Sequence, residues 1–375
     1  MKIIILSLLF LSLAQAGEIN FGQEMKLGPE KINLVNFESK IKLNWLKTIK
    51  DPINLNYVVK AEIYPEDPNT LFLTLRGGGI TLLDIKNPST PKLIQHWNEK
   101  NLDMEGQDRL GNLFISIARK GEIFIFKILK NRKISKVGQL RIPHLRFFQL
   151  PIAFIIPALH TRIYRDKKEN VYALITCPWS KKLVSVDITN PKHPEYISSI
   201  KTDIKGVEGI QIYKDHAYLG GFRSNFLKVY NISDPKNMHL VQTLHDEHFS
   251  QMVPEMNSIH PDVLFTALWG KPGGLAAFSL KEPNKIKLLS KVIATSFNRA
   301  NRVKIRKNLA LLPLEEKVGG IGIVNIGDPK NLKLELSMTN IPGVLKPYTL
   351  NFKDNYVYLF GSETNSMAIL RFTHD

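Results

Sequence analysis

The feature that most constrains the fold of this chain is a recurring segment built from three short apolar runs separated by two turns. Residues 71–97 read LFLTLRGGGITLLDIKNPSTPKLIQHW, in which a glycine turn and an Asn-Pro turn separate the runs. Because the runs have the length of strands, and Gly and Asn-Pro form turns, the segment predicts three strands of one sheet. Similar segments occupy residues 171–199, 217–244, 263–289 and 309–336, with weaker copies at 113–140 and 356–375.

The spacing of these copies predicts the architecture. One apolar residue marks the end of the second run in each copy, and these marks lie 43 to 48 residues apart, except for one step of 60. A period in the forties with strand-length runs is typical of propeller blades, and an additional apolar run before most copies supplies an innermost strand. A helical solenoid would instead show apolar residues at i, i+3 and i+4. We therefore predict an all-β chain that forms a seven-bladed β-propeller of four-stranded blades. The marks are Ile85, Ile128, Ile188, Ile232, Leu280, Ile326 and Phe372.

The two ends of the repeated region predict how the ring closes. The last copy ends at Asp375 without an outermost strand, whereas residues 41–49 resemble the outermost strands of other copies. An N-terminal strand that completes the last blade would join the ends and cover two sheet edges. We expect a single propeller domain over residues 41–375, an N-terminal extension over 17–40, and an insertion over 141–157 between blades two and three.

The first residues have the pattern of a secretory signal peptide. Lys2 precedes an apolar run, Ile3–Leu13, and Ala14-Gln15-Ala16 forms a small-residue cleavage site. The run is too short for a membrane-spanning helix, and we found no longer one in the sequence. We therefore expect residues 1–16 to be a signal peptide and the mature protein to be periplasmic or extracellular.

The repeated segments resemble a known family. Leu183-Val184-Ser185-Val186-Asp187-Ile188-Thr189-Asn190-Pro191 is similar to the LVIVD repeat, and residues 82–88, 229–235 and 323–329 are further copies. LVIVD-repeat proteins are exported or surface propellers, mostly without an assigned activity. The resemblance therefore implies a fold and a compartment, and it implies no catalytic residues. Lys127, Ser279 and Arg371 replace the repeat Asp in three blades.

Composition excludes some classes of site and partner. A single cysteine, Cys177, rules out an internal disulfide, and its place in a hairpin predicts a partly exposed thiol. No catalytic motif or metal-ligand spacing is present, so we expect no cofactor and no metal site. The formal net charge of +17 favours anionic partners. We do not expect nucleic acid as a partner, because the basic residues form no cluster and export argues against it.

Candidate binding residues lie where the inner strands begin and where the hairpins between second and third strands return to the same face. Arginines and lysines beside aromatic residues suit an anionic ligand, although they could equally solvate a water-filled channel. The sequence does not predict the oligomeric state. The candidates are Arg76, Glu105, His160, Arg162, Trp179, Glu208, Arg223, Glu255, Trp269, Arg302 and Tyr348.

The insertion is a second candidate surface. It contains Phe147, Phe148 and Phe154, and this much apolar surface is unusual in a loop. It could cover the channel as a lid, contact a partner, or pack against its own blade.

Together these patterns predict an exported, non-catalytic binding or scaffold protein that acts through one face of the disc on a protein or on an anionic envelope or host component. The alternative is a hydrolase or lyase at the channel mouth. It would use acid/base groups among Glu105, His160, Glu208 and Glu255.

Overall fold

The computed structural model describes residues 21–25, 32–37, 39–99, 102–143, 158–222, 224–249, 252–257 and 260–374, with the backbone alone for 252–257 and 374. Nearly all of the regular structure in these ranges is β-strand, with one short 3-10 helix at Thr295–Phe297. The described residues contain no helix that is long and apolar enough to cross a membrane. The predicted all-β class is confirmed.

Most of the strands form seven consecutive antiparallel meanders, which confirms the predicted seven four-stranded blades. The N-terminal segment contains β1 (Gln23–Glu24), β2 (Asn33–Asn36) and β3 (Lys42–Lys50). Blade one contains β4 (Val58–Tyr64), β5 (Asp67–Leu75), β6 (Ile80–Asp84) and β7 (Lys92–Trp97). Blade two contains β8 (Met104–Leu110), β9 (Leu113–Ala118), β10 (Glu122–Ile128) and β11 (Ile134–Arg141). Blade three contains β12 (His160–Arg165), β13 (Val171–Cys177), β14 (Lys182–Asp187) and β15 (Glu195–Lys201).

The remaining four blades follow the same order. Blade four contains β16 (Val207–Tyr213), β17 (His216–Gly221), β18 (Phe226–Asn231) and β19 (His239–His245). Blade five contains β20 (Met252–Asn257), β21 (His260–Leu268), β22 (Gly273–Ser279) and β23 (Lys287–Ala294). Blade six contains β24 (Lys304–Arg306), β25 (Leu309–Leu314), β26 (Gly320–Asn325) and β27 (Lys333–Thr339). Blade seven contains β28 (Pro347–Lys353), β29 (Tyr356–Gly361) and β30 (Ser366–His374), and β3 is its fourth strand.

The N-terminal strand closes the ring as predicted, because β3 pairs antiparallel with β30. The segment before it also pairs, which the sequence did not indicate. The strand β1 adds a fifth strand to blade seven beside β3, and β2 adds a fifth strand to blade six beside β27. The region expected to be a plain extension therefore covers the outer edges of two blades.

The hydrophobic core lies between the blades. Within the described part of the chain, the buried apolar residues form seven clusters, and each cluster joins two neighbouring blades around the ring. The cluster that seals the ring joins Ile49 of β3 and Phe360 of blade seven to Leu55 and Leu73 at blade one. Since a single sheet cannot bury both of its faces, each blade depends on its two neighbours.

The repeated residues have local structural roles. In each copy the apolar mark is buried. Its N–H donates to a carbonyl in the turn before the second strand or in the first residues of that strand, as from Ile188 to Val171 at 2.8 Å. Where the repeat Asp or Asn is present, its side chain accepts the N–H two residues later, as Asp187 accepts that of Thr189 at 2.8 Å. These contacts end the third strand of the blade, so the repeat signature is explained by turn formation.

Candidate functional site

Four inner strands begin with a register irregularity, and in three of them the residue at the irregularity has a buried polar side chain. The register shifts between Met104 and Gly106 in blade two, around Glu105. Blades four and seven have corresponding shifts around Glu208 and Tyr348. A bulge redirects a side chain that regular alternation would have placed elsewhere.

The first group at this level of the channel is an ion-paired carboxylate. Nε of Arg76 donates to Oε1 of Glu105 at 2.6 Å, and Nε of Arg119 lies 3.2 Å from the same oxygen. The Glu105 side chain is 1% exposed. Burial lowers the pKa of the Arg76 guanidinium, but Glu105 together with Tyr348 and Tyr57 outweighs burial, so the pKa is raised. Glu105 is therefore committed to two arginines.

The second group joins four blades. The hydroxyl of Tyr348 donates to Oε1 of Glu208 at 3.1 Å, and Arg302 lies over the Tyr348 ring at 5.0 Å. Nε2 of His160 is 3.5 Å from a terminal nitrogen of Arg302 and 3.8 Å from Oε1 of Glu208. Burial and then Arg302 hold the pKa of His160 well below its ordinary value. The imidazole is therefore neutral near pH 7.

A pocket lies above these groups, on the face where the hairpins return. It has a volume of about 570 Å³, and we call it the mouth pocket. Five of the predicted residues line it, namely Arg76, Trp179, Glu208, Trp269 and Tyr348. The other lining residues are Tyr57, Leu159, Pro178, Lys181, Lys205, Gly206, Phe222 and Glu315.

Glu315 places a second carboxyl in the mouth pocket. Its Oε2 accepts hydrogen bonds from Nε1 of Trp269 and from the Asn301 side chain, both at 2.9 Å. Burial raises the pKa of Glu315 despite these two donors, and the nearby Glu208 contributes in the same direction. The pocket thus contains a carboxyl that accepts a proton more readily than an exposed one.

Arg162 lies elsewhere. Two residues beyond His160 on β12, its Nε donates to Oε1 of Gln211 at 3.0 Å, and it lines a separate pocket of about 360 Å³ with Glu62 and Asp108. Near this site, Nζ of Lys60 donates to the carbonyl of Gln107 at 2.6 Å. Burial, with Arg162 contributing, lowers the pKa of Lys60 to about 7.

Several predicted residues lie outside the described residues. These are Arg223 and the insertion residues Phe147, Phe148 and Phe154, while for Glu255 the side chain is not described. Among the described residues, no three His, Cys, Asp or Glu side chains are grouped so that they could hold a metal ion.

The prediction for Cys177 was wrong. It is the last residue of β13, it is 0% exposed, and its side chain packs in the cluster between blades two and three. Burial raises the pKa of the thiol well above its usual range. The strand extends one residue further than the Pro178 turn implied, so the thiol faces the core.

Sequence reasoning missed other lining residues, chiefly Tyr57, Lys205, Phe222 and Glu315. Phe222 and Glu315 lie in hairpins that the repeat pattern already assigned to this face. Their positions in the hairpins were the available signal. Charged or aromatic residues close to them in the sequence, such as Arg223 beside Phe222, were predicted in their place.

Comparisons with known proteins agree with this architecture. The family model for the LVIVD repeat matches residues 71–99 and 172–202. No curated protein matches the sequence.

Solved structures share the fold at low identity. The β-propeller domain of Cps50 (Swd1) from Myceliophteria thermophila has a TM-score of 0.65 at 11% identity, over 88% of this chain and 100% of that one. A candidate 6-phosphogluconolactonase from Bacteroides fragilis has a TM-score of 0.61 at 13% identity, over 78% and 86%. The computationally designed Ika8 protein has a TM-score of 0.56 at 11% identity, over 93% and 98%. These similarities concern the fold alone. The chain contains LVIVD repeats at residues 71–99 and 172–202 and forms a seven-bladed β-propeller.

Proposed function

We propose that this protein is an exported, non-catalytic binding or scaffold protein that holds an anionic or protein partner at the mouth pocket. The proposal rests on the convergence of several blades at one cavity. Hairpins or links of five blades meet around a cavity of about 570 Å³ lined by aromatic and charged side chains. Concave sites with apolar walls and a few placed polar groups are where proteins bind ligands.

The positions of the acid/base candidates support binding over a hydrolase or lyase. Catalysis by these groups requires a proton donor and acceptor within hydrogen-bond reach of a substrate. Glu105 is held by Arg76 and Arg119, and His160, which is buried and does not line the pocket, lies 3.8 Å from Oε1 of Glu208. Of the four candidates, Glu105, His160 and Glu208 have described side chains, and the ion pairs of Glu105 are with Arg76 and Arg119.

Charge supports an anionic partner. The sequence carries a formal net charge of +17, and Lys2 is the one charged residue that removal of residues 1–16 would take away. Lys181 and Lys205 are exposed at the edge of the mouth pocket. A basic surface attracts anionic partners most strongly at low ionic strength.

Export rests on the N-terminal sequence and has its own test. The full chain is expressed in a secreting host, and the mature protein is analysed by intact mass. Cleavage after Ala16 gives a chain that begins at Gly17. A secreted or cell-associated product that still begins at Met1 would exclude the signal peptide.

Binding is tested with the mature protein and cell envelopes of the producing organism. Co-sedimentation is measured while NaCl rises from about 0.05 M to about 0.5 M, and the bound fraction is expected to fall because salt screens exposed charges. Trp179→Ala is expected to weaken binding with little effect on folding, since the Trp179 side chain is 54% exposed.

The matched control is Leu240→Ala, which removes a 47% exposed apolar side chain from β19, the outermost strand of blade four. Its binding should equal that of the unaltered protein. Equal binding by the Trp179 and Leu240 variants would mean that the partner docks on another surface, and the proposal would fail.

A further inference from the structure

The mouth pocket also has features that select a class of ligand. Five of its lining side chains are aromatic, whereas Leu159 and Pro178 are its aliphatic members. Flat aromatic surfaces pack well against flat rings that have C–H faces. Trp179 presents such a surface, because it is 54% exposed and has no ring contact with the described residues.

Another part of the pocket lining, formed by Trp269 and Glu315, is polar, and contacts within the protein hold these side chains in place. Trp269 packs edge-on against Phe222 with ring centroids 5.2 Å apart, and its Nε1 donates to Oε2 of Glu315. Oε1 of Glu315 accepts no hydrogen bond from the described residues. A ligand hydroxyl could therefore donate to Oε1 without displacing a protein contact.

Two ammonium groups lie at the edge of the pocket. Lys181 belongs to the hairpin between β13 and β14, and Lys205 to the link between blades three and four. Both are exposed, and neither forms an ion pair with the described residues. The carbonyl of Lys181 accepts the N–H and the hydroxyl of Thr202 at 2.7 and 3.0 Å, so the hairpin and the link are held together.

The geometry points to an acidic carbohydrate as the ligand of the mouth pocket, an assignment that rests on the proposed binding function. A sugar ring stacks on Trp179, one of its hydroxyls donates to Glu315, and its carboxylate binds Lys181 and Lys205. A cavity of about 570 Å³ has the size of a small-molecule site, which fits a sugar better than the broad, flatter interface of a protein.

The test measures binding of four probes to the mature protein by isothermal titration calorimetry. The probes are oligogalacturonate, hyaluronan fragments, methyl-esterified oligogalacturonate and polyglutamate of similar length. At least one of the two acidic sugars is expected to bind. The methyl ester keeps the sugar and loses the charge, and polyglutamate keeps the charge without the sugar, so both should bind about tenfold more weakly or less.

Variants locate the site. Trp179→Ala and the pair Lys181→Gln with Lys205→Gln are each expected to weaken acidic-sugar binding about tenfold. The controls are Leu240→Ala and the pair Lys192→Gln with Lys236→Gln. This control pair removes the same charge from two exposed turns. Lys192 lies between β14 and β15 and Lys236 between β18 and β19, and neither residue lines the pocket.

The outcomes separate the two proposals. If neither acidic sugar binds, or polyglutamate binds equally well, the carbohydrate assignment is overturned. The proposed function then still stands, provided that envelope binding depends on Trp179. If envelope binding is also insensitive to Trp179→Ala, both proposals fail.

Discussion

The hydroxyl of Tyr348 on blade seven donates a hydrogen bond of 3.1 Å to Oε1 of Glu208 on blade four, so that the inner strands of two distant blades are joined through the channel. Burial, with Glu208 contributing, raises the pKa of Tyr348 well above its ordinary value. The phenol therefore remains a donor throughout the physiological pH range.

Removing this hydroxyl is expected to destabilise the propeller. Tyr348→Phe leaves Glu208 without that donor, and a buried acceptor that loses its partner costs about 1–3 kcal/mol. The measurement is the free energy of unfolding in urea. Tyr356→Phe is the control, because the Tyr356 ring is half-buried and its hydroxyl has no hydrogen bond with the described residues. Equal stability of the two variants would contradict the prediction.

The carboxylate of Glu105 is expected to matter more than a surface carboxylate. Glu105→Gln leaves Arg76 without a counter-charge and Arg119 with the exposed Asp103 alone, 3.6 Å away, and breaking a buried pair costs about 3–5 kcal/mol. For comparison, Glu169→Gln breaks an exposed pair with Arg165, which should cost less than about 1 kcal/mol. Urea unfolding of both variants measures the difference, and similar losses would argue against the role of Glu105.

The effect of Glu315 on stability is expected to depend on pH. Its pKa is higher in the folded protein than the ordinary 4.5, so the folded state binds the proton more tightly than the unfolded chain. At pH values above the folded pKa both states are ionised, and the cost of burying the charge is fully present. As pH falls through the folded pKa towards the ordinary value, the cost is relieved.

Glu315→Gln removes this charge while keeping an acceptor for Trp269 and Asn301. The variant is therefore expected to gain stability relative to the unaltered protein as pH rises from about 4.5 to about 7.5. The urea midpoint of each is measured across that range. Glu66→Gln, at an exposed turn, controls for the loss of one negative charge. A stability difference for Glu315→Gln that does not change with pH would be the contrary result.

Closure of the ring by β3 predicts unequal effects of two substitutions on the same strand. Ile49 is 7% exposed and packs between blades seven and one, whereas Leu46 is 44% exposed. Ile49→Ala is expected to cost about 2–5 kcal/mol, and Leu46→Ala about 0.5 kcal/mol or less. The free energy of unfolding of both proteins tests this. If both changes were tolerated equally, the strand would not be closing the ring.

The fold was predictable because its signals are local. Asp187 and Ile188 form their contacts with residues of the same blade, so a short stretch of sequence contains the whole pattern. Copies of the pattern along the chain then count the blades. Closure by residues 41–49 followed from the strand missing in the last copy. The pairing of Asn33–Asn36 with blade six had no such signal, since its side chains are exposed and lack an apolar pattern.

The site was predictable only in part. The hairpin positions of Arg76, Trp179 and Trp269 predict one common face, and all three line the mouth pocket. Arg162 shares β12 with His160 but lies at a separate pocket, because two residues along a strand move a side chain by roughly 6–7 Å. The hairpin position of Glu315 was a signal, but its contacts could not be predicted, since its partners Trp269 and Asn301 belong to other parts of the chain.

The amino-acid sequence was sufficient for the fold class, the number of blades and the strand that closes the ring, because strand periodicity and turn residues act over a few neighbouring positions. The full set of residues that line the mouth pocket could be identified only from the assembled blades. Bulges at Glu105, Glu208 and Tyr348 break the alternation of side chains. The contacts of the pocket residues join different blades, from neighbours such as Trp269 and Glu315 to Tyr348 and Glu208 across the channel. Such contacts depend on how the blades are rotated about the channel, which no local pattern encodes.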